Sequence, residues 1–305
     1  MRITVTLLLV TFLTAACGAS DDAAPAGDAA AAADVWVEDV GFATPESVLH
    51  DPEADVYLVS NINGSPTDAD GNGFISRVSP DGEVLDLKWI DGEADGVELS
   101  APKGMAIQEG VLYVTDIDCV RMFERESGAA AGEVCIPDAT FLNDVAADNQ
   151  GTVFVTDSGL RMGEAGLEPS GTDAVYRLSG DGRMAAIARG DWLGRPNGVA
   201  VGSRGIFVGT FGSGEVHQLA VDGSHEPVMP ASDRQVDGVE FTDGGGFLFS
   251  SWGDGAVYEV TAGGNVTRVL EDLDAPADIG LDRARNRVLV PLFNENRVLI
   301  HPLGG

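Results

Sequence analysis

A short opening motif recurs six times along this chain and constrains its fold more than any other feature. Each copy has a variable residue, then a small or acidic residue, then an aliphatic residue that begins an apolar run. The variable residues occupy positions 46, 103, 143, 197, 237 and 277, at intervals of 57, 40, 54, 40 and 40 residues. A repeat of this length is typical of an array in which each copy forms one supersecondary unit.

Three or four short strand-like segments follow each opening motif. In the fifth copy they are Gly238–Phe241, Gly246–Ser251, Ala256–Thr261 and Val266–Leu270, separated by turns rich in Gly, Asp and Asn. No long stretch has the 3.6-residue apolar period of an amphipathic helix. Four antiparallel strands in each unit of about 40 residues, repeated six times, predict an all-β fold, the six-bladed β-propeller.

The first and last strands of the repeat region complement each other. The last copy supplies only three strands before Gly305, whereas Asp34–Val40 has the pattern of a strand but no opening motif. We therefore expect a propeller from residue 34 to residue 305, in which the N-terminal strand completes the last blade and removes an exposed edge. The longer intervals place extra residues in predicted loops, Asn63–Gly73 and Leu160–Thr172, which we expect to cover a ligand site at one rim.

The first 17 residues have the features of an export signal. A positively charged start is followed by the apolar run Ile3–Ala16, which is too short to span a bilayer comfortably. Thr14–Cys17 resembles the bacterial lipobox, so Cys17 is the predicted lipidation site; ordinary cleavage just before an incidental Cys17 is the alternative. Residues 18–33 are small and acidic and are expected to form a flexible tether. We therefore predict an exported protein of the periplasm or cell envelope that touches a membrane only through its lipid anchor.

Acidic residues greatly outnumber basic ones in this chain. The formal net charge is −31, and Lys88 and Lys103 are the only lysines. A chain with this charge repels nucleic acid and anionic membrane surfaces, so we expect neither as a partner. Acidity by itself names no ligand.

Two further cysteines, Cys119 and Cys135, flank a predicted hairpin turn at Glu124–Gly128 and are symmetric about position 127. Cross-strand neighbours of this kind in an exported protein can form a disulfide, which is our prediction; two buried thiols are the alternative. A metal site is not expected there, because no His or further Cys accompanies the pair.

The variable residues of the opening motifs form the candidate site. In a propeller the first strand of each blade lines the central channel, so these residues should converge as a ring of Glu46, Lys103, Asn143, Asn197, Asp237 and Ala277. Two carboxylates and two amide oxygens suit Ca²⁺, which binds about 6–8 oxygens in irregular geometry. Zn²⁺ is disfavoured because none of the four histidines belongs to the ring. We therefore predict a bound Ca²⁺, or another divalent cation, in the channel.

Four of these positions carry a resemblance to a known family. An Asn-Asp motif at Asn143, a Pro-Asn-Gly motif at Asn197, an Asp-Gly motif at Asp237 and a glutamate at Glu46 resemble the gluconolactonase, senescence-marker-protein and luciferin-regenerating-enzyme family. The resemblance covers residues 35–303 and implies six blades with one divalent metal in the channel. It maps the metal ligands onto Glu46, Asn197 and Asp237, and an Asn close to metal and substrate onto Asn143. It also implies lactone hydrolysis, in which the metal polarises the ester carbonyl and Asp237 is the candidate catalytic base.

Two residues depart from the pattern of that family. Its gluconolactonases carry a substrate-binding Arg two residues before the Asn that matches Asn143, and this position is Phe141 here, which favours a more apolar ester or lactone over a sugar lactone. Lys103 is the second departure. Its ammonium could pair with Glu46 and Asp237 and reduce metal affinity or even replace the metal. It could also bind a substrate carboxylate, stabilise an oxyanion, or lie solvated at the rim.

The leading functional prediction is therefore a Ca²⁺-dependent hydrolase of the lactonase type that acts on a small-molecule lactone or ester. The alternative is a non-catalytic exported propeller that binds a ligand or a protein partner across its face. Lys103 and Phe141 favour this alternative, whereas the set of Glu46, Asn197 and Asp237 favours the hydrolase. The fold alone does not choose between them.

Overall fold

Each of the first five opening motifs begins the first strand of an antiparallel sheet, and the sheets are the blades of a propeller. The structure is a computed structural model that describes residues 33–178 and 182–304. Six four-stranded sheets follow one another along the chain, and the first strands of successive blades contact each other around a closed ring. The predicted all-β, six-bladed propeller is therefore confirmed.

The N-terminal strand β1 (Val35–Val37) precedes the first complete blade. Blade 1 comprises β2 (Pro45–Asp51), β3 (Val56–Asn61), β4 (Phe74–Val78) and β5 (Val84–Asp91). Blade 2 comprises β6 (Pro102–Gln108), β7 (Val111–Asp116), β8 (Cys119–Glu124) and β9 (Ala130–Cys135). Blade 3 comprises β10 (Leu142–Ala147), β11 (Val153–Asp157), β14 (Ala174–Leu178) and β15 (Met184–Arg189), with an inserted hairpin of β12 (Leu160–Gly163) and β13 (Gly166–Pro169).

The second half of the propeller follows the same plan. Blade 4 comprises β16 (Pro196–Gly202), β17 (Gly205–Thr210), β18 (Val216–Leu219) and β19 (His225–Met229), and a short 3₁₀ turn, Asp191–Leu193, precedes it. Blade 5 comprises β20 (Val236–Phe241), β21 (Phe247–Ser251), β22 (Ala256–Val260) and β23 (Val266–Leu270). The chain itself supplies three strands of blade 6, β24 (Gly280–Asp282), β25 (Arg287–Leu292) and β26 (Arg297–Pro302).

The N-terminal strand closes the ring. Strand β1 pairs antiparallel with β26, with Val35 opposite Ile300 and Val37 opposite Val298, so it is the outermost strand of blade 6. On the channel side, the backbone N–H of Asp278 donates a hydrogen bond of 2.9 Å to the carbonyl oxygen of Glu46, which joins the sixth opening motif to the first. The predicted closure by the N-terminal strand is confirmed.

Adjacent blades pack face to face, so their middle strands are apolar on both sides. Phe247 and Phe249 of β21 pack in one cluster with Phe207 of blade 4, whereas Leu248 between them packs in another with Val288 of blade 6. All five side chains are completely buried. Because successive strand residues point to opposite faces of a sheet, one apolar run fills two interfaces between blades. This packing makes a rigid frame around the channel.

The inserted segment of blade 3 differs from the expectation. Leu160–Thr172, predicted as a loop, contains the antiparallel hairpin β12–β13, which forms a two-stranded sheet of its own. Cross-strand pairs such as Met162 with Leu167 give it a regular register. Apolar and charged residues alternate in this segment, which is the pattern of strands with one apolar face. This alternation could have predicted the hairpin.

Cys119 and Cys135 are direct partners in the register of β8 and β9, and their sulfur atoms form a disulfide with a Cα–Cα distance of 3.9 Å. The predicted export signal and the lipidation site at Cys17 lie outside the described residues, as does nearly all of the predicted tether at 18–33. Within the described part of the chain, no helix is long and apolar enough to cross a membrane.

Candidate functional site

A β-bulge lies at the start of the first strand in each of blades 1 to 5. Between the pairs Pro196–Thr210 and Val199–Val208, three steps along β16 match two steps along β17, so β16 carries one extra residue. The same irregularity occurs at residues 45–48, 102–105, 142–145 and 236–239. Each bulge contains the variable residue of the opening motif. Because a bulge re-aims the side chains at its position, it turns these residues toward the axis of the propeller.

Buried hydroxyl groups on the second strands hold this bulged backbone. The Thr156 hydroxyl accepts a hydrogen bond of 3.0 Å from the N–H of Asp144 and donates one of 2.6 Å to the carbonyl oxygen of Asn197 in the next blade. Ser250 makes the same two kinds of bond between blades 5 and 6, and Thr115 donates to the first strand of blade 3. The motifs recognised in the sequence do not include these groups. Their signal was a Ser or Thr one residue before the end of the second strand.

Five of the six ring residues line one cavity of about 210 Å³, which we call the ring cavity: Glu46, Lys103, Asn143, Asn197 and Asp237. Each is almost completely buried, with an exposed fraction between 1% and 5%. The sixth, Ala277, is fully buried but does not line the cavity. The structure thus brings together all the polar residues of the predicted ring.

Four oxygen atoms in the ring cavity are buried and have no hydrogen-bond partner. They are Oε2 of Glu46, Oδ1 of Asn143, Oδ1 of Asn197 and Oδ1 of Asp237. An unpartnered buried acceptor is costly, so four in one cavity require an explanation. Carboxylate and amide oxygens are the hard donors that Ca²⁺ and other oxygen-seeking divalent cations bind. The residues present therefore fit the metal that the sequence predicted.

The orientation of the Asn143 amide follows from its hydrogen bonds. Its Nδ2 lies 3.1 Å from Oγ of Ser158, and the Ser158 hydroxyl lies 2.7 Å from the carbonyl oxygen of Pro196. A carbonyl oxygen can only accept, so the Ser158 hydroxyl donates to it and accepts from the Asn143 amide. Oδ1 of Asn143 is then the atom that faces the cavity. Ser158 is a positioning residue that the sequence analysis did not identify.

The ring cavity carries an excess of negative charge. Burial raises the pKa of Glu46 well above its usual range, the charges of Asp237 and Asp278 raise it further, and Lys103 opposes them. Burial, followed by the charge of Asp278, likewise raises the pKa of Asp237. Buried carboxylates are normally paired with a cation or a metal. The upward pKa shifts have the same physical origin as the unpartnered oxygens: the cluster lacks compensating positive charge.

Lys103 is a buried residue of the cavity wall. Its side chain is 1% exposed, so the alternative of a solvated lysine at the rim is wrong. Its Nζ donates a 3.1 Å hydrogen bond to the carbonyl oxygen of Ala101 and lies 4.6 Å from the centroid of the Phe141 ring, within cation–π range. Among the described residues, no carboxylate lies within 4.0 Å of this nitrogen. Burial lowers the pKa of Lys103, and the charges of Glu46 and Asp116 oppose that shift.

A second group of acids lies further along the first strands, beyond the ring. Asp144 and Asp278 line a separate cavity of about 230 Å³ together with Ser47. Burial raises the pKa of Asp278 to about 7. Burial also raises the pKa of Asp144, and the charge of Asp278 raises it further. Both carboxylates have partners: Asp278 accepts a hydrogen bond from the Ser47 hydroxyl, and Asp144 accepts bonds from two backbone N–H groups.

The walls of the ring cavity above the ring are mainly apolar and aromatic. Trp252 stands between Phe211 and Phe293, with ring centroids 5.4 and 5.2 Å away. Leu160 and Leu167 of the hairpin line the cavity beside them. The three aromatic rings come from blades 4, 5 and 6, so the repeated motif in the sequence did not reveal that they meet. The cavity thus has an acidic, oxygen-rich floor and apolar walls.

Neither a family model nor a curated protein matches this sequence, but its fold matches solved structures. A gluconolactonase from Xanthomonas campestris is similar with a TM-score of 0.67 at 20% identity, over 89% of this chain and 89% of that one. A streptogramin B lyase is similar with a TM-score of 0.62 at 11% identity, over 89% of this chain and 98% of that one. Virginiamycin B lyase from Staphylococcus aureus is similar with a TM-score of 0.60 at 12% identity, over 89% of this chain and 99% of that one. At these identities the likeness shows a similar fold and nothing more.

Proposed function

We propose that this chain is a divalent-metal-dependent hydrolase of lactones or related esters, with Ca²⁺ as the expected ion. The observation that carries the proposal is the convergence of four unpartnered, buried oxygens, from Glu46, Asn143, Asn197 and Asp237, in one cavity. The gluconolactonase among the proteins of the same fold supports the assignment of the reaction.

Glu46, Asn197 and Asp237 would hold the ion, with Asn143 beside it. A divalent cation bound there supplies Lewis acidity to an ester carbonyl. Asp237 is the candidate base: its carboxylate takes a proton from the attacking water while the water oxygen bonds to the carbonyl carbon. The proton then passes to the leaving alkoxide as the ester C–O bond breaks. Lys103 contributes a fixed positive charge at the wall, where negative charge develops on the carbonyl oxygen.

Two other functions can be weighed against this proposal. One solved structure of similar fold is a virginiamycin B lyase made catalytically inactive by a histidine-to-alanine change. In the present chain none of the four histidines lines the ring cavity, which disfavours chemistry of that kind. The second candidate function is binding of an apolar ligand without catalysis, which the apolar walls favour.

The test is metal content and thermal unfolding of the purified protein with and without Ca²⁺. A ligand that binds only the folded state stabilises it by about 2.7 kcal/mol at a concentration 100 times its Kd, so we expect a clear rise in Tm. Asp237→Ala should abolish the Ca²⁺-dependent increment. The substitution also changes the Tm without metal, because it removes a buried carboxyl group. The increment, and not the absolute Tm, is therefore the readout.

Asp95→Ala is the matched control, because Asp95 is an exposed carboxylate that does not line the ring cavity. It should keep the full Ca²⁺ increment. A protein that contains no divalent metal and shows the same Tm with Ca²⁺, Mg²⁺, Mn²⁺ or chelator would refute the metal site and with it the hydrolase.

A further inference from the structure

We infer that the ring cavity takes lactones or esters that carry an apolar substituent of several carbon atoms, and that the hairpin β12–β13 is the wall on which this substituent lies. The inference rests on the proposed function and adds the class of substrate to it. It excludes polyhydroxylated sugar lactones as good substrates.

The distribution of polar groups in the cavity is the first argument. Carboxylate, amide and ammonium groups come only from the five ring residues. The other lining side chains are Leu, Ile, Pro, Phe and Trp, and the polar exceptions among them are the Ser158 hydroxyl and the indole N–H of Trp252. The hydroxyl groups of a sugar lactone would lose their water against these walls without finding partners. An alkyl or aryl substituent would instead gain by leaving water.

The two faces of the hairpin are the second argument. Leu160, Met162 and Leu167 lie on one face because strand residues alternate, and Leu160 and Leu167 line the cavity. The opposite face carries Arg161 and Glu168, which form an ion pair of 3.0 Å. The apolar face therefore turns toward the ring cavity, and the charged face turns toward solvent.

The base of the hairpin is firmly attached to blade 3. Gly159 occupies a left-handed conformation with φ of 58°, where a Cβ would come within 2.2 Å of the Asp173 carboxylate. Its carbonyl oxygen accepts a 2.7 Å hydrogen bond from the N–H of Ser170. The Thr140 hydroxyl lies 2.7 and 2.8 Å from the hydroxyls of Ser170 and Thr172. These contacts fix where the apolar face points.

Part of this apolar face is uncovered. Met162 is 50% exposed and Leu167 is 45% exposed, although Leu167 also lines the cavity. The cavity of about 210 Å³ is smaller than the pockets of about 300–1,000 Å³ that enclose drug-sized ligands. A substrate whose ester lies at the ring and whose chain has several carbons would thus extend out of the cavity, along the hairpin. It would cover the two exposed side chains.

The test compares γ-valerolactone, γ-octalactone, γ-decalactone and glucono-δ-lactone as substrates of the full chain in Ca²⁺. Each buried CH₂ is worth up to about 4-fold in kcat/KM, so kcat/KM should rise steeply from the C5 to the C10 lactone, with the sugar lactone poorest. Leu167→Asn should lower kcat/KM about 10-fold for γ-decalactone and by a much smaller factor for γ-valerolactone. Leu85→Asn is the control, because Leu85 is 53% exposed on the outer strand of blade 1.

Calorimetric binding of 4-hydroxydecanoate and 4-hydroxypentanoate provides a readout that does not depend on catalysis. Tighter binding of the longer chain, reduced by Leu167→Asn and kept by Leu85→Asn, supports the inference even if no lactone is hydrolysed; in that case only the proposed hydrolase fails. Hydrolysis at equal rates along the series, or fastest with glucono-δ-lactone, overturns the inference and leaves the hydrolase standing. Failure of the longer product to bind more tightly also overturns it.

Discussion

The strongest test of the acidic channel is the substitution Asp278→Asn. Asp278 is 7% exposed, and its Oδ2 accepts a 2.5 Å hydrogen bond from the Ser47 hydroxyl. Burial raises its pKa from 3.8 to about 7, although the Ser47 hydrogen bond opposes the shift. An Asn at this position keeps the size and an acceptor for Ser47 but cannot ionise.

The direction of the effect follows from proton binding. The folded state holds the Asp278 proton more tightly than the unfolded chain does, so folding favours the protonated form. The contribution of this carboxyl to stability is therefore complete below about pH 4, and it declines as pH rises until the folded group has ionised near pH 7. Above that pH the native state contains a buried charge that it does not fully compensate.

The magnitude comes from the same shift. Each pH unit between the two pKa values is worth about 1.36 kcal/mol, so the full shift corresponds to about 4 kcal/mol. Between pH 5 and pH 7 the wild-type protein should lose about 2 kcal/mol through this one group. Asp278→Asn should remove that loss. The variant should therefore be more stable than wild type by about 1–2 kcal/mol near pH 5 and by about 4 kcal/mol at pH 8.

The assay is urea unfolding between pH 5 and pH 8.5 in the presence of chelator. This pH range stays above the sequence pI near 4.1, where the net charge that keeps the protein soluble is lost. Asp95→Asn provides the exposed control and should follow the wild-type profile. Added Ca²⁺ should narrow the gap between wild type and Asp278→Asn at pH 8, because it brings positive charge into the channel. A difference in unfolding free energy that does not change with pH would refute the assigned titration of Asp278.

Two further predictions concern the residues around the ring. Thr156→Val should lower the free energy of unfolding in urea by about 1–3 kcal/mol, because the N–H of Asp144 and the carbonyl oxygen of Asn197 both lose their buried partner. It should also weaken Ca²⁺ binding in a calorimetric titration. Unchanged values of both quantities would contradict the proposed role of the hydroxyl. Lys103→Met should tighten Ca²⁺ binding about tenfold, since a neighbouring buried cation is removed; Lys88→Met is the control, and an unchanged or weaker affinity for Lys103→Met would show that Lys103 does not compete with the ion.

The architecture could be predicted because its signals are local and repeated. Short strands, polar turns and an aliphatic residue after each opening motif recur at intervals of 40 to 57 residues, and the strands pair with one another within each blade. The closure by Val35–Val37 also followed from the sequence, since a sixth blade with only three strands requires a fourth. The identity of the ring residues followed from the same spacing.

The exact direction of each ring side chain could not be predicted. A shift of one residue moves a strand side chain to the opposite face, and the opening motif alone does not reveal a bulge. In blades 1 to 5 the bulge decides that Glu46 and its counterparts enter the cavity. The hydroxyl of Thr156, which stabilises the bulged backbone, binds groups 12 and 41 residues away in sequence, so only the folded ring shows its role.

Lys103 and Phe141 illustrate the same point for specificity. Each was read from the sequence as a separate departure from the gluconolactonase-like pattern, one from blade 2 and one just before blade 3. In the structure they touch, with Nζ 4.6 Å from the ring centroid, so they form one altered corner of the cavity. The phenyl ring stands where the resemblance to gluconolactonases would place a substrate-binding Arg, and it packs against the ammonium. Under the proposed function, this corner would offer a lactone an apolar surface, which agrees with the apolar hairpin that lines the same cavity.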